Sequence, residues 1–277
     1  MAGSRPEPCP TISSMEAAFF DLDKTIISKS SSLALTRPMY RAGLVSRAML
    51  LRGAYAQLVY LLLGADEKKM DRAKEAMSAL SKGWEKTAVE ELVREVLIEL
   101  IDPYVYQEAL DLMALHRALG RRVYIVSSSP EEVVTPLAEH FGVNGVIATR
   151  AAVEDGKYTG SLERYVYAEG KAEAIRELAA VEGIDLDHSF AYSDSITDVP
   201  LLEAVGNPVA VNPDRDLRRE AEKRDWQIRY FRRPVRLRTR LAASLPRPSP
   251  VAAAAGAGAI ALLFAWVYLR PRLRRAA

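Results

Sequence analysis

Short apolar runs that stop at a polar residue restrict the fold of this chain more than any other feature. Ala17–Phe20 runs into Asp21, Val123–Val126 into Ser127, and Ser189–Tyr192 into Ser193-Asp194. Each is too short for a helix, and each reads as a strand buried in a sheet interior. Val143–Thr149 and Pro208–Val211 are further strand candidates. Helix-length segments separate them. Pro130 opens one through about His140, because proline suits the first helical turn, and Lys171–Glu182 is another that stops near Gly183. Strands alternating with helices predict a mostly parallel α/β sheet covered on both faces. Asp155-Gly156, between Val153 and Tyr158, predicts a hairpin turn.

Residues 33–119 interrupt this alternation with almost no strand signal. Leu44–Leu63, Glu67–Leu80, Thr87–Leu100 and Tyr104–Leu119 read as helices, the last closed by Gly120. The expected organisation is a core over 15–32 and 120–225 with a helical module over 33–119 inserted after the first strand. Residues 1–14 are polar and punctuated by proline, with no apolar stretch of the kind a secretory signal needs, and read as a disordered leader. Cys9 is the single cysteine, which excludes a disulfide framework and a Cys-rich zinc site. His116, His140 and His188 lie too far apart for metal-ligand spacing and read as surface or helix residues.

The net charge of +2 conceals two unlike parts. No acidic residue follows Asp225, whereas eleven arginines do, leaving 27 basic residues against all 36 acidic ones before that point, a net of −9. Residues 226–250 form a basic, proline-punctuated linker, and 251–269 are nineteen residues without a charge. At roughly 1.5 Å per residue a helix over them is about 28 Å long, close to a bilayer's hydrocarbon thickness. Trp266 and Tyr268 stand at one end, where interfacial aromatics belong. A C-terminal transmembrane helix is therefore expected. The arginine excess before the span puts the body in the cytoplasm and suits anionic lipid better than nucleic acid, for which no aromatic platform is present.

Ligands in such sheets sit beyond the carboxyl ends of the strands. Three strand ends carry the chemistry here: Asp21-Leu22-Asp23-Lys24-Thr25, Ser127, and Asp194 with Asp198. DLDKT at 21–25, Ser127, Lys171 within EGKAEAI and SDSITD at 193–198 together resemble the four motifs of the haloacid dehalogenase superfamily of phosphohydrolases. The helical insert and the EDGKYTGSLE hairpin at 154–163 are similar to its phosphoserine-phosphatase-like branch. The resemblance covers roughly residues 17–215 and not the tail.

The resemblance implies a Rossmann-like core with a helical cap and a Mg²⁺-dependent phosphatase. Asp21 would attack phosphorus and form an aspartyl-phosphate, and Asp23 would protonate the leaving alkoxide and then activate water. Ser127 and Lys171 would bind the phosphoryl group, with Thr25 fixing the loop beside it. Asp21, Asp23 through its carbonyl, Asp194 and Asp198 would form the metal site, Asp198 either directly or by orienting a bound water or Lys171. A phosphate dianion repels a carboxylate, so a divalent cation is needed to neutralise both.

Two departures bear on this. Ser193 and Ser195 flank Asp194, where the pattern usually carries glycine. Phosphoserine phosphatases also follow the first motif with an acid that reads the substrate's amino group, whereas 26–32 here hold Lys29 and no acid. Two substrate classes follow: a small soluble monoester of the phosphoserine kind, or a lipid-linked phosphate such as phosphatidylglycerol phosphate or lysophosphatidate, which the tail favours. A catalytically silent membrane scaffold is the alternative outside enzymology, opposed by the presence of all five acids and bases of the pattern. No obligate protein partner is expected.

Overall fold

The computed structural model describes residues 15–41, 43, 79 and 81–235. The expected leader, the helices over 44–63 and most of 67–80, and the apolar stretch 251–269 lie outside the described residues. Among the described residues no helix is long and apolar enough to cross a membrane.

A seven-stranded sheet forms the body. Its strands are β1 (Ala17–Phe20), β3 (Arg122–Pro130), β4 (Gly145–Glu154), β5 (Lys157–Arg164), β6 (Phe190–Ser193), β7 (Asn207–Val211) and β8 (Gln227–Arg229), ordered β5-β4-β3-β1-β6-β7-β8. All neighbours are parallel except β4 and β5, which form the antiparallel hairpin that Asp155 (φ 49°) and Gly156 (φ 75°) turn. Two consecutive positive φ values give a twist that matches the flanking strands, which is why an Asp-Gly pair stands there.

β1 explains the arrangement. Its four residues are all 0 % exposed, and it pairs with β3 on one side and β6 on the other. Phe19 stacks on Tyr124 with ring centroids 5.6 Å apart, and Phe20 stacks on Tyr192 at 4.3 Å. The chain proceeds from β1 outward to β3 and β4, then returns to β6 on the opposite flank. The crevice at the carboxyl end of β1 is thus a topological switch point, where open α/β sheets bind ligands.

Among the described residues the helices around the sheet are α1 (Ser31–Arg41), α2 (Lys86–Ile101), α3 (Gln107–Ala118), α4 (Glu131–Phe141), α5 (Glu169–Glu182), α6 (Val199–Glu203) and α7 (Arg215–Lys223). α4 and α5 end at Gly142 (φ 63°) and Gly183 (φ 70°), left-handed caps that accept no side chain cheaply. α2 packs against α1 and α4. The 83–86 segment before α2 bonds to the β4–β5 hairpin, through Gly83 N to Tyr158 O at 2.8 Å and Lys86 N to Gly156 O at 3.0 Å. The hairpin therefore ties the inserted helices to the sheet.

Two expectations from the sequence need correction. The helix expected from Tyr104 begins at Gln107, because Asp102–Tyr104 is a 3-10 turn and Val105–Tyr106 is a short strand, β2. Ser28 N donates to Tyr104 O at 2.7 Å and Tyr106 N to Ile26 O at 2.9 Å. These long-range bonds occupy backbone groups that a helix would use, so tertiary pairing overrides local propensity. The segment read as linker from residue 226 also enters the body: Gln227–Arg229 forms β8, and Pro234–Val235 forms β9 against β2. Phe231 between them is 6 % exposed, lies 5.9 Å from the Tyr106 ring, and donates its N–H to Asn212 Oδ1 at 2.9 Å. Arginines dominate the composition there and obscure the few apolar residues that dock.

His116 lies on a helix, as expected, but inside the body: it is 3 % exposed, with Nε2 2.8 Å from the Tyr192 hydroxyl. Burial, reinforced by Arg121 and Arg229, lowers its pKa from 6.5 to about 4. A depressed histidine pKa means that the unfolded chain takes up a proton the folded chain refuses. The stabilisation is full above pH 6.5 and is lost as pH falls towards 4. Urea unfolding at pH 7 and 4.5 should show wild type losing roughly 2 kcal/mol more than His116→Gln. Equal losses in the two proteins would count against this role.

Candidate active site

The first pair of acids is set by the way β1 ends. Asp21 N still donates to Tyr192 O at 2.9 Å, so the chain is extended through Asp21. Leu22 turns inward and is 0 % exposed. Ile26 N and Ile27 N then both bond back to Leu22 O, at 3.0 and 3.1 Å, around Lys24 at φ 60°. Extended backbone alternates its side chains, so the acids flank a buried leucine and share a face. Thr25 is 0 % exposed, and its hydroxyl has no hydrogen-bond partner among the described residues.

Lys171 enters from the first turn of α5, placed there by Lys171 N bonding to Ala168 O at 3.0 Å. Its ammonium is 2.6 Å from Asp21 Oδ1 and 2.6 Å from Asp198 Oδ2. All three side chains are buried. Three elements far apart in sequence are thereby joined at one nitrogen. Of the positions foreseen for Asp198, the structure shows the contact with Lys171. Asp194 is 6 % exposed, and Lys24 Nζ lies 3.7 Å from its Oδ2.

Asp23 is held separately. Ser31 N, at the start of α1, donates to its Oδ1 at 2.9 Å, and the hydroxyls of Ser30 and Ser129 reach its Oδ2 at 3.4 Å. Ser127 is 2 % exposed and accepts from Ser129 N at 3.1 Å, which leaves its own hydroxyl proton available. Ser129 and Asp214 are residues that the sequence reading missed. Asp214 N donates to Asp194 O at 2.8 Å, its Oδ2 accepts from Ile196 N at 3.0 Å, and its Oδ1 caps α7 through Asp216 N and Leu217 N. An aspartate opening a helix is visible in sequence as a cap. That the same carboxylate also secures the 194–198 loop is not.

Burial pushes Asp21 up to about 7, with Asp198 and Asp194 adding to the shift and Lys171 opposing it. Burial likewise raises Asp194 to about 6, opposed chiefly by Lys24. Burial disfavours the Lys171 ammonium, but Asp21 and Asp198 outweigh it and hold its pKa above the usual lysine value. Among the described residues the site therefore carries more carboxylates than its one buried cation, Lys171, compensates. Among the described residues no group of three or more His, Cys, Asp or Glu side chains forms a metal cage. Mg²⁺ does not require one, since it commonly takes one or two carboxylates and completes its shell with water and phosphate oxygens. Two desolvated carboxylates with excess negative charge fit that cation.

The haloacid dehalogenase-like hydrolase pattern matches residues 18–203. A probable phosphatase of Mycobacterium tuberculosis is 52% identical over 227 residues, covering 82% of this chain and 79% of its own. A phosphoserine phosphatase of the same organism is 37% identical, over 80% of this chain and 73% of its own. A crystal structure of a Bordetella pertussis protein of unknown function superposes with a TM-score of 0.70 at 31% identity, covering 78% of this chain and 98% of that one.

Proposed function

The chain belongs to the haloacid dehalogenase-like hydrolase family and is a phosphoric monoester hydrolase, and from that premise we propose that it works through an aspartyl-phosphate on Asp21. Asp21 Oδ attacks phosphorus in line; the new O–P bond forms as the ester P–O bond breaks. Asp23 gives its proton to the departing alkoxide and then takes one from the water that cleaves the intermediate. Ser127 donates a hydrogen bond to a phosphoryl oxygen, and Lys171 screens Asp21 from the phosphate's charge. Mg²⁺, held by Asp21, the Asp23 carbonyl and Asp194, would supply the neutralisation that lets two anions meet. The observation that supports the reading best is the Lys171 ammonium at 2.6 Å from both Asp21 and Asp198, with all three side chains buried at the switch point of the sheet.

The preferred substrate is a small monoester of the phosphoserine-phosphatase kind. Residues 26–32 offer no acid to read an ammonium group, and the Lys29 ammonium lies over the Tyr104 ring at 4.1 Å. A second reading, a lipid-linked phosphate cleaved at the cytoplasmic face of a membrane, is favoured by the uncharged stretch 251–269 between arginines. Turnover of phosphoserine, amine-free monoesters and lysophosphatidate, each with Mg²⁺ and mild detergent, separates the two. We expect amine-free small monoesters to match or exceed phosphoserine. A preference of tenfold or more for the lipid substrate, lost on removing residues after 235, would establish the second reading. Absence of any Mg²⁺-dependent hydrolysis would favour a silent scaffold.

A further inference from the structure

We propose that Ser193 is a positioning residue whose hydroxyl fixes Asp198, so that Asp198 and Asp21 together hold the Lys171 ammonium; this rests on the catalytic reading above. Ser193 is the last residue of β6 and is 0 % exposed. Along the strand Tyr192 turns towards Phe20 and His116, so Ser193 turns to the other face, towards Asp198. Its hydroxyl uses both of its capacities there. It donates to Asp198 Oδ2 at 2.6 Å and accepts from Ser195 N at 3.3 Å.

The oxygen that Ser193 binds is the one that Lys171 binds, at the same distance of 2.6 Å. Asp198 Oδ2 therefore takes two donors, one cationic from the lysine motif and one neutral from its own motif. The two have different effects. Lys171 reaches the carboxylate at the end of a four-carbon stem, and a carboxylate held by that contact alone could rotate with it. Ser193 reaches it from a rigid strand in the sheet interior, only five residues away along the chain, and pins the loop to its own root. Its acceptance from Ser195 N shapes the same loop around Asp194. Hydrogen bonds to charged groups are the strong ones, and this one lies where water does not compete. A glycine or alanine at 193 supplies neither the donor nor the acceptor.

The Ser193 hydroxyl is committed to Asp198 and Ser195, so its influence on Asp21 passes through Asp198 to Lys171. The test is a double-mutant cycle on the full chain, using Ser193→Ala, Asp198→Asn and the pair, with Ser193→Gly as a second variant. The first readout is kcat and KM for an aryl phosphate with Mg²⁺. The expected result is a kcat about tenfold lower in Ser193→Ala and Ser193→Gly with KM within about threefold. In the Asp198→Asn background, Ser193→Ala should cost about twofold or less. Wild-type kcat in both Ser193 variants, or an equal loss in both backgrounds, overturns the proposal.

The second readout is urea unfolding of the same four proteins in EDTA. The unfolding constants should be coupled by about tenfold between Ser193 and Asp198. Absence of coupling overturns the proposal. This measurement does not depend on turnover: a coupled pair in a protein that hydrolyses no phosphate would retain the contact while refuting the catalytic reading on which its function rests.

Discussion

Asp21→Asn is expected to abolish turnover by at least about 10⁴-fold while leaving the protein folded. Asparagine keeps the shape of the side chain and an oxygen that can accept from Lys171, so the β1–β6 junction has no reason to open. It loses the nucleophilic carboxylate. The substitution also removes one of the carboxylates that burial makes costly: Asp21 lies 6 % exposed with its pKa pushed to about 7, and Asp198 and Asp194 add to that shift. Steady-state hydrolysis of an aryl phosphate with Mg²⁺ gives the rate, and near-ultraviolet circular dichroism checks the fold. A variant within tenfold of wild type would remove Asp21 from the role of nucleophile.

Lys171→Met carries the second large effect, and it falls on stability as well as rate. The ammonium is 3 % exposed and is the shared partner of Asp21 and Asp198. Methionine matches the stem but leaves two desolvated carboxylates facing each other. Removing one partner of a buried ion pair costs about 3–5 kcal/mol, mainly because the remaining charge is uncompensated. Urea unfolding in EDTA should show a loss of that order, and Asp21→Asn added to Lys171→Met should recover part of it by removing one of the stranded anions. Mg²⁺ should recover part as well, because a cation that binds the folded state stabilises it by mass action. A loss below about 1 kcal/mol would mean that the pair is hydrated or dispensable.

Both predictions depend on residues that the sequence already singled out, and the reason is local. Asp21 follows directly on the apolar run of β1 and Asp194 follows the end of β6 at Ser193, so reading those strands also located their ends. Ser127 closes an apolar run too, but β3 continues past it to Pro130, three residues beyond the expected stop. The helix stops at Gly120 and Gly183 and the Asp-Gly turn were legible because a positive φ restricts which residues can stand there, whereas the stop at Gly142 was not read from the sequence. Ser129 and Asp214 were not legible. Ser129 matters because Asp23 and Ser31 approach it from 106 and 98 residues away, and nothing in a run of three serines indicates which one they meet. His116 was indistinguishable from a surface histidine because its partner Tyr192 is 76 residues distant.

The sequence by itself determined the alternating α/β plan, the order of the motifs and the family to which they point. These are properties of short segments, whose period, caps and end residues are written within a few positions of one another. The tertiary structure alone decided which groups face one another. It brought Lys171 to Asp21 across 150 residues, put Ser193 against Asp198, and used the start of the arginine-rich segment to close the sheet with β8 and clasp β2 with β9. The physical reason is that burial and hydrogen bonding reward contacts irrespective of chain distance, and no local pattern records which distant partner supplies them.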